Sequence, residues 1–487
     1  MSVHIAILSS LLAIGGTSAS PVESKRGRRH LTANLRRNSL AHRQAAAALQ
    51  GSSQPLTFDA SLARMEIQGL VSKYSKAADF LNGIDLNADT HPAAGYGAFN
   101  DTPINAYFQN TTKASLISQL PQLAARAADV EPIIGLPNGS YASFDIAPLT
   151  DDVVAGMDMA YYGPLRFGTP AQELAVSVDT GSADLWVPVA CPGCSNAQFD
   201  AAASSTYRNT GRRVSVTYGA GRVVGTVAQD TVAVGALSVG AQSFVAVRSE
   251  SQDFMDYASS GLVGLAFGSI SRTGAPTFFE SLLAEHKLAA GIFSTHLTRG
   301  AADGSEICFG CYDLTKTTGP IQWHSLVTKA SKSLFPPPAV LTHPHADILD
   351  DRHGRPRGGQ STHGPAIDTG SSLVLVADTI AQQLYALIPG AQDASAEYGS
   401  GFYTYPCATP AAVALVLAGL PFAIHEDDFN LGRLSEDSDD CVGGVVGVSS
   451  DYGLPANLPL LTAFIGYVTF DYAGSRIGLA PSINNRR

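Results

Sequence analysis

The pattern apolar-Asp-Thr-Gly-Ser occurs twice in this 487-residue chain, as Val178-Asp179-Thr180-Gly181-Ser182 and Ile367-Asp368-Thr369-Gly370-Ser371, with more than a third of the chain between the copies. Each copy is followed by an apolar run and reads as a strand that delivers an Asp into a tight turn, where Gly permits close backbone approach. A single Asp-Thr-Gly-Ser is an ordinary hairpin turn. Two copies at this separation mark an internal duplication in which each half contributes one carboxylate. The 47 Gly and 27 Pro, set between short runs of Val, Ile, Thr and Tyr, favour a β-rich architecture over a helical bundle. The length suits two or three folding units, and the 45% of hydrophobic residues suffices for a substantial core.

Two carboxylates brought together cannot both ionise easily, so their titrations split and one proton is shared between them. The ionised member can act as general base on a water while the protonated member donates to a carbonyl oxygen. Such chemistry needs neither cofactor nor metal. The hydroxyls of Thr180, Ser182, Thr369 and Ser371 are suited to orienting the carboxylates, and Gly181 and Gly370 let backbone N–H groups approach them.

Charge divides the chain. Residues 1–129 carry 12 Lys and Arg against 8 Asp and Glu, and residues 130–487 carry 19 against 34, giving +4 and −15 within the total of −11. Seven of the basic residues lie between Lys25 and Arg43. The aromatic or fold signals of nucleic-acid binding are missing around them, so this run reads as a solvated tail or as part of a propeptide drawn to an acidic body. Ile5 to Ile14, followed by small residues, reads as a secretory signal peptide, with a buried N-terminal helix as the alternative. No later apolar run is long enough for a membrane anchor, and a released monomer is expected. Asn100, Asn110 and Asn138 each open a glycosylation sequon. Apolar residues at helical spacing predict a helix over 60–83. The six cysteines suggest local disulfides, Cys191 with Cys194, Cys308 with Cys311 and Cys407 with Cys441. The two C-x-x-C pairs leave a structural zinc as the alternative, and 308 with 311 is awkward because residues three apart on a strand face opposite ways.

From about Tyr161 to Ala480 the chain resembles the pepsin-like aspartic proteases. The resemblance is carried by Asp179-Thr180-Gly181-Ser182-Ala183-Asp184-Leu185-Trp186, the second Asp-Thr-Gly-Ser, the lead-in Phe167-Gly168-Thr169-Pro170, and Tyr218-Gly219-Ala220-Gly221, which is similar to the family's flap hairpin. It implies an all-β fold of two lobes around a central substrate cleft, with Asp179 and Asp368 as the catalytic pair. Thr180 and Thr369 would tie the two loops together, and Tyr218, Gly219 and Gly221 would close over bound peptide. The implied domains are a signal peptide at 1–19, a propeptide at 20–140, an N-terminal lobe at 141–315 and a C-terminal lobe at 316–487. The implied activity is acid-active endoproteolysis of extended polypeptides at bonds flanked by large apolar side chains, with the propeptide as inhibitor and the medium or the vacuole as destination. Lys73 resembles the propeptide lysine that pairs with the catalytic carboxylates, with a solvated helix lysine as the alternative.

Two departures from the family pattern stand in the C-terminal half. Residues 335–365 hold six Pro and four His (343, 345, 353 and 363) and read as irregular, exposed loop. Leu460-Leu461-Thr462-Ala463-Phe464-Ile465 lacks the Gly-Asp pair expected before the terminal strand, which predicts a strained or displaced second active-site loop. These departures keep open an alternative, a catalytically impaired secreted binding protein of the same fold.

Overall fold

The computed structural model describes residues 56–81, 96–100, 144–154, 157–218, 221–252, 254, 257–299, 301, 303–325, 339–342, 360–361, 366–417, 420–448, 460–462 and 466–485. The signal-peptide reading, the run Lys25 to Arg43, Asn110, Asn138, Gly219 and the four histidines of 335–365 all lie outside these residues.

The alternation of branched apolar and small polar residues builds long antiparallel strands. Arg208–Thr217, Arg222–Val234 and Leu237–Glu250 pair in sequence, and in the middle strand buried and more exposed positions largely alternate, as a sheet with one covered face requires. The turn between the last two is closed by Gly235 at φ 48°. A Cβ there would stand 2.0 Å from Asp145 Oδ2, the oxygen that accepts from the next backbone N–H, Ala236. Only Gly combines that φ with that approach.

These strands end a 13-stranded sheet that continues through Leu185–Pro188, Gly261–Gly264, Gln172–Asp179 and Met157–Phe167 to Asp145–Val154, and on through Ser305–Phe309, Ile292–His296, Tyr467–Asp471 and Arg476–Ala480 to Gln322–Ser325. Asp145–Val154 serves two neighbours. Residues 145–149 pair with Ser305–Phe309, and 150–154 pair with Met157–Phe167, with a register shift between Asp152 and Val153. The remaining strands form three four-stranded sheets in the second half.

The duplication seen in sequence is a duplication of topology. Gln172–Asp179 runs parallel to Gly261–Gly264, which pairs antiparallel with Leu185–Pro188, itself parallel to Leu237–Glu250. In the second half Ala366–Asp368 runs parallel to Leu460–Thr462, which meets Val374–Ala377 antiparallel, itself parallel to Val445–Val448. Asp179 is opposite Gly264 and Asp368 is opposite Thr462. The expected loss of a Gly in the second copy therefore has a definite register position.

The helix expected over 60–83 spans Ala60–Leu81. Asp59 caps it by accepting from the backbone of Ser61 and Leu62 at 2.9 and 3.0 Å. Ala63, Ile67 and Leu70, on one helical stripe, are buried against Met157, Met159, Leu373 and Leu375, and burial of Ile67 and Leu70 is worth about 1.5–3 kcal/mol each. Phe58 packs on Tyr398 and Phe402, and Arg64 donates to the carbonyls of Tyr398 and Glu397. This segment is thus stitched to the second half. Lys73 lies on the helix, with its side chain outside the described residues.

The reading of 335–365 as wholly irregular needs correction. Ala339–Thr342 is a strand between Gln360–Ser361 and Val413–Leu417. The Ala-Val-Leu-Thr run has strand propensity of its own, and the flanking Pro and His obscured it. All six cysteines pair as expected, which removes the zinc alternative. Cys308 reaches Cys311 because the strand ends at Phe309 and Gly310, at φ 77°, turns the chain back.

Glu306, on Ser305–Phe309, is mostly buried. Burial first, then its hydrogen bond to and repulsion by Asp313, push its pKa from 4.5 up to about 7, with Lys316 opposing. A carboxyl raised in this way holds its proton better folded than unfolded, so its contribution is fully present below about pH 4.5 and is lost as pH rises through about 7. Its cross-strand partner His296 is pushed by burial from 6.5 down to about 4. His296 therefore contributes stability above pH 6.5 that is lost as pH falls towards 4. The two slopes oppose, so the clean measurement is a difference. The thermal midpoint of wild type relative to Glu306→Gln should be higher at pH 4.5 than at pH 7.5; an equal difference at both would refute the assignment.

Candidate active site

Both Asp-Thr-Gly-Ser turns lie at the junction of the two halves. Thr180 N–H donates to Thr369 Oγ1 and Thr369 N–H donates to Thr180 Oγ1, each at 3.0 Å. Each hydroxyl in turn donates across the junction, Thr180 to the carbonyl of Ile367 at 3.1 Å and Thr369 to that of Val178 at 2.8 Å. Four buried hydrogen bonds lock the loops in mutual register, and all four need a hydroxyl on a residue with a free N–H. This is the tie expected of Thr180 and Thr369.

The carboxylates that follow from this geometry are buried, Asp179 with 4% and Asp368 with none of its surface exposed. A Cβ built on Gly370 would stand 2.6 Å from Asp179 Oδ1 and 3.3 Å from Asp368 Oδ1. One small point is thus in contact with both carboxylates, and only the absence of a side chain at 370 leaves room for them to face each other. Gly181 N–H donates to Asp179 Oδ1 at 2.8 Å, and Gly370 N–H donates to Asp368 Oδ1 at 2.9 Å.

The two loops then diverge. Ser182 Oγ donates to Asp179 Oδ2 at 2.6 Å, whereas Ser371 Oγ donates to the carbonyl of Leu373 at 3.0 Å. On the first side, Gly264 lets its strand pack so closely that a Cβ would stand 2.6 Å from the backbone of Ala183 and Asp184. Thr462 holds that register position on the second side, and a residue with a Cβ cannot copy the approach. The serine that was expected to support Asp368 turns instead to the backbone.

Asp184, buried behind the first loop, accepts from Ser271 Oγ and from the N–H groups of Arg272 and Thr273 at 2.8–2.9 Å. It fixes the chain that follows Ser182. Its place inside the motif offered a signal, but its partners are almost ninety residues away.

Tyr218 follows the strand Arg208–Thr217, and its N–H donates to the carbonyl of Gly221 at 2.7 Å. Its ring is buried beside Trp186 and Phe254. Burial first, then the carboxylates of Asp184 and Asp179, hold its phenol well above the ordinary range. Trp186 and Ser182 lie close to the hydroxyl, but no hydrogen bond of normal geometry forms there among the described residues.

A cavity of about 80 Å³ opens beside Asp179 and Gly370, with Tyr218, Trp186 and Phe254 in its wall. The helix Ala60–Leu81 roofs it with Glu66, Gly69 and Leu70. Glu66 is nearly buried, and its carboxylate accepts from Ser372 N–H at 3.0 Å, one residue past the second motif. Glu250 also lines the cavity. Neither glutamate was legible as a site residue, because neither stands in a motif and both reach the site through tertiary packing.

A family model for eukaryotic aspartyl proteases matches residues 160–482. The chain is 31% identical over 355 residues to the major aspartyl peptidase 1 of Cryptococcus neoformans, covering 69% of this chain and 70% of that relative. It is 31% identical over 344 residues to cathepsin D of Dictyostelium discoideum, covering 67% and 84%. Over 172 residues, 34% of this chain and 47% of the relative, it is 41% identical to chicken (Gallus gallus) pepsin A. With the mainly β, two-halved fold and the paired Asp-Thr-Gly-Ser turns, these matches establish that the chain belongs to the eukaryotic aspartyl protease family, a family of peptidases.

Proposed function

We propose that this chain is an acid-active aspartic endopeptidase made as a latent precursor, with Asp179 and Asp368 as its acid/base pair. The observation that carries this reading is the pair of buried carboxylates facing each other across the bare Gly370, held by the reciprocal bonds of Thr180 and Thr369. Two such groups share a proton at acid pH. The ionised one takes a proton from water as the water attacks the peptide carbonyl carbon, and the protonated one donates to the carbonyl oxygen. The C–N bond then breaks as the nitrogen is protonated. An extended polypeptide is the natural substrate for a cleft walled by strands, and Tyr218, next to the flap tip, would exclude water once substrate is bound.

Latency is supported by the helix Ala60–Leu81, which lies over the cavity with Glu66 on Ser372. Substrate and helix compete for the same space. Acidification protonates carboxylates of the −15 body and weakens its attraction to the +4 segment. Purified precursor should therefore process itself at about pH 3 and stay intact at pH 7; equal rates at both would overturn this. Entry into the secretory pathway, ending in the medium or the vacuole, is consistent with three disulfides. Among the described residues no helix is long and apolar enough to cross a membrane.

The second reading, an impaired enzyme that binds rather than cleaves, is favoured by Thr462 opposite Asp368 and by the turned-away Ser371. Digestion of a denatured protein at acid pH, with and without a statine-type transition-state mimic, separates the two. Digestion abolished by the mimic supports the peptidase, and mimic binding without digestion supports the impaired form.

A further inference from the structure

We propose that Glu250 makes the cavity beside Asp179 a recognition site for a basic substrate side chain, so that the enzyme selects Lys or Arg at one position near the scissile bond. The inference rests on the peptidase reading and adds to it a substrate class that an apolar-flanked cleavage rule does not contain.

Glu250 is the last residue of the strand Leu237–Glu250 and lines the cavity together with Asp179. Its Oε1 is buried and has no hydrogen-bond partner among the described residues. A buried carboxylate oxygen without a donor is costly, and a ligand that brings a donor recovers that cost. The cavity has the shape of chemistry such a ligand needs. Trp186, Phe254 and Tyr257 form an aromatic wall, against which the methylene stem of Lys or Arg packs while its cationic head reaches an acceptor. Ser259 and Ser260 line it as well, beside Met159, Val178 and Leu262. Lys, Arg and His are absent from its described lining, and with the helix Ala60–Leu81 displaced the carboxylates left in it are those of Asp179 and Glu250.

The groups facing Glu250 are these. In the precursor the helix brings Glu66, engaged with Ser372, which leaves with the helix; the active-site strand brings Asp179, and the flap brings Tyr218. On its own strand Arg248 is exposed, and on the paired strand Arg222 donates to Ser215. Burial is what raises the Glu250 pKa, and no neighbouring charge offsets it. Below the raised value the carboxyl is neutral and offers only a hydrogen bond; above it, it offers a charge. Preference for a cation should therefore strengthen as pH rises.

The test uses the acid-processed full chain and a set of peptides with one apolar parent sequence, in which Lys, Arg or norleucine is placed in turn at the three positions on either side of the scissile bond. We expect kcat/KM at pH 5.5 to favour Lys or Arg over norleucine by about tenfold at one position, the discrimination of a partly buried charge pair. The ratio should shrink at pH 3.5, and in Glu250→Gln it should fall to about one at both pH values. No cationic preference at any position, or a preference that persists in Glu250→Gln, would overturn the proposal. Binding of reduced-bond, uncleavable versions of the same peptides is measured in parallel. A Glu250-dependent preference in binding without any cleavage would keep the subsite and sink the peptidase reading instead.

Discussion

Asp179→Asn and Asp368→Asn should each reduce proteolysis by at least about a hundredfold, and by up to about ten thousandfold, while the fold persists. The substitution is isosteric, so the buried positions of both side chains stay filled and no cavity opens. What is lost is a group able to accept or donate a proton on the reaction path. In Asp179→Asn the amide oxygen placed at the Oδ1 position still accepts from Gly181 N–H, and the NH2 at the other position donates to Ser182 Oγ, whose hydroxyl accepts in turn. Thermal unfolding should accordingly show a single transition within a few degrees of wild type. Peptide hydrolysis at pH 3–5, followed by mass spectrometry of the fragments, is the readout. More than a few per cent residual activity in either variant would rule out the dyad.

Gly370→Ala should be nearly as damaging, although it removes no chemical group. Its Cβ would lie 2.6 Å from Asp179 Oδ1 and 2.9 Å from Asp179 Cγ, too close for a methyl carbon that cannot hydrogen-bond, so a carboxylate has to move. Displacement of about 1 Å in an acid/base pair costs roughly a hundredfold in rate. Gly240→Ala is the matching control, since a Cβ there meets nothing within 4 Å, and its activity should stay within about twofold of wild type. If Gly370→Ala were as active as the control, the close facing of the carboxylates would not be required for turnover.

What the sequence made legible was what is encoded locally. The Asp, Thr and Gly of each turn sit within three consecutive residues, and the reciprocal bonds of Thr180 and Thr369 use groups inside those triplets. The helix 60–81 was legible because its buried stripe, Ala63, Ile67 and Leu70, repeats at helical spacing. Where that helix docks was not legible, because the methionines and leucines that receive it come from two distant strands, Met157–Phe167 and Val374–Ala377, and from the turn before the second. Glu66 and Glu250 were missed for the same reason. The departure at 460–465 was visible as a missing Gly, but its effect depends on register. Only pairing shows that Thr462 stands opposite Asp368 as Gly264 stands opposite Asp179, and that Ser371 turns away while Ser182 does not. At 335–365 the Pro and His content hides the four residues Ala339–Thr342, a run too short to show alternation.

The strand Asp145–Val154 carries a mechanical consequence. Because its two ends pair with different neighbours, the Asp179 loop belongs to the same hydrogen-bonded sheet as the strands that run under both halves. The Asp368 loop belongs to a separate sheet of four short strands, coupled to the first loop through the Thr180–Thr369 bonds. The larger hydrogen-bonded frame thus holds one carboxylate, and the smaller holds the other. Cleft opening, and accommodation of peptides of differing bulk, would then be taken up on the Asp368 side, with Asp179 as the fixed reference against which the reacting bond is aligned.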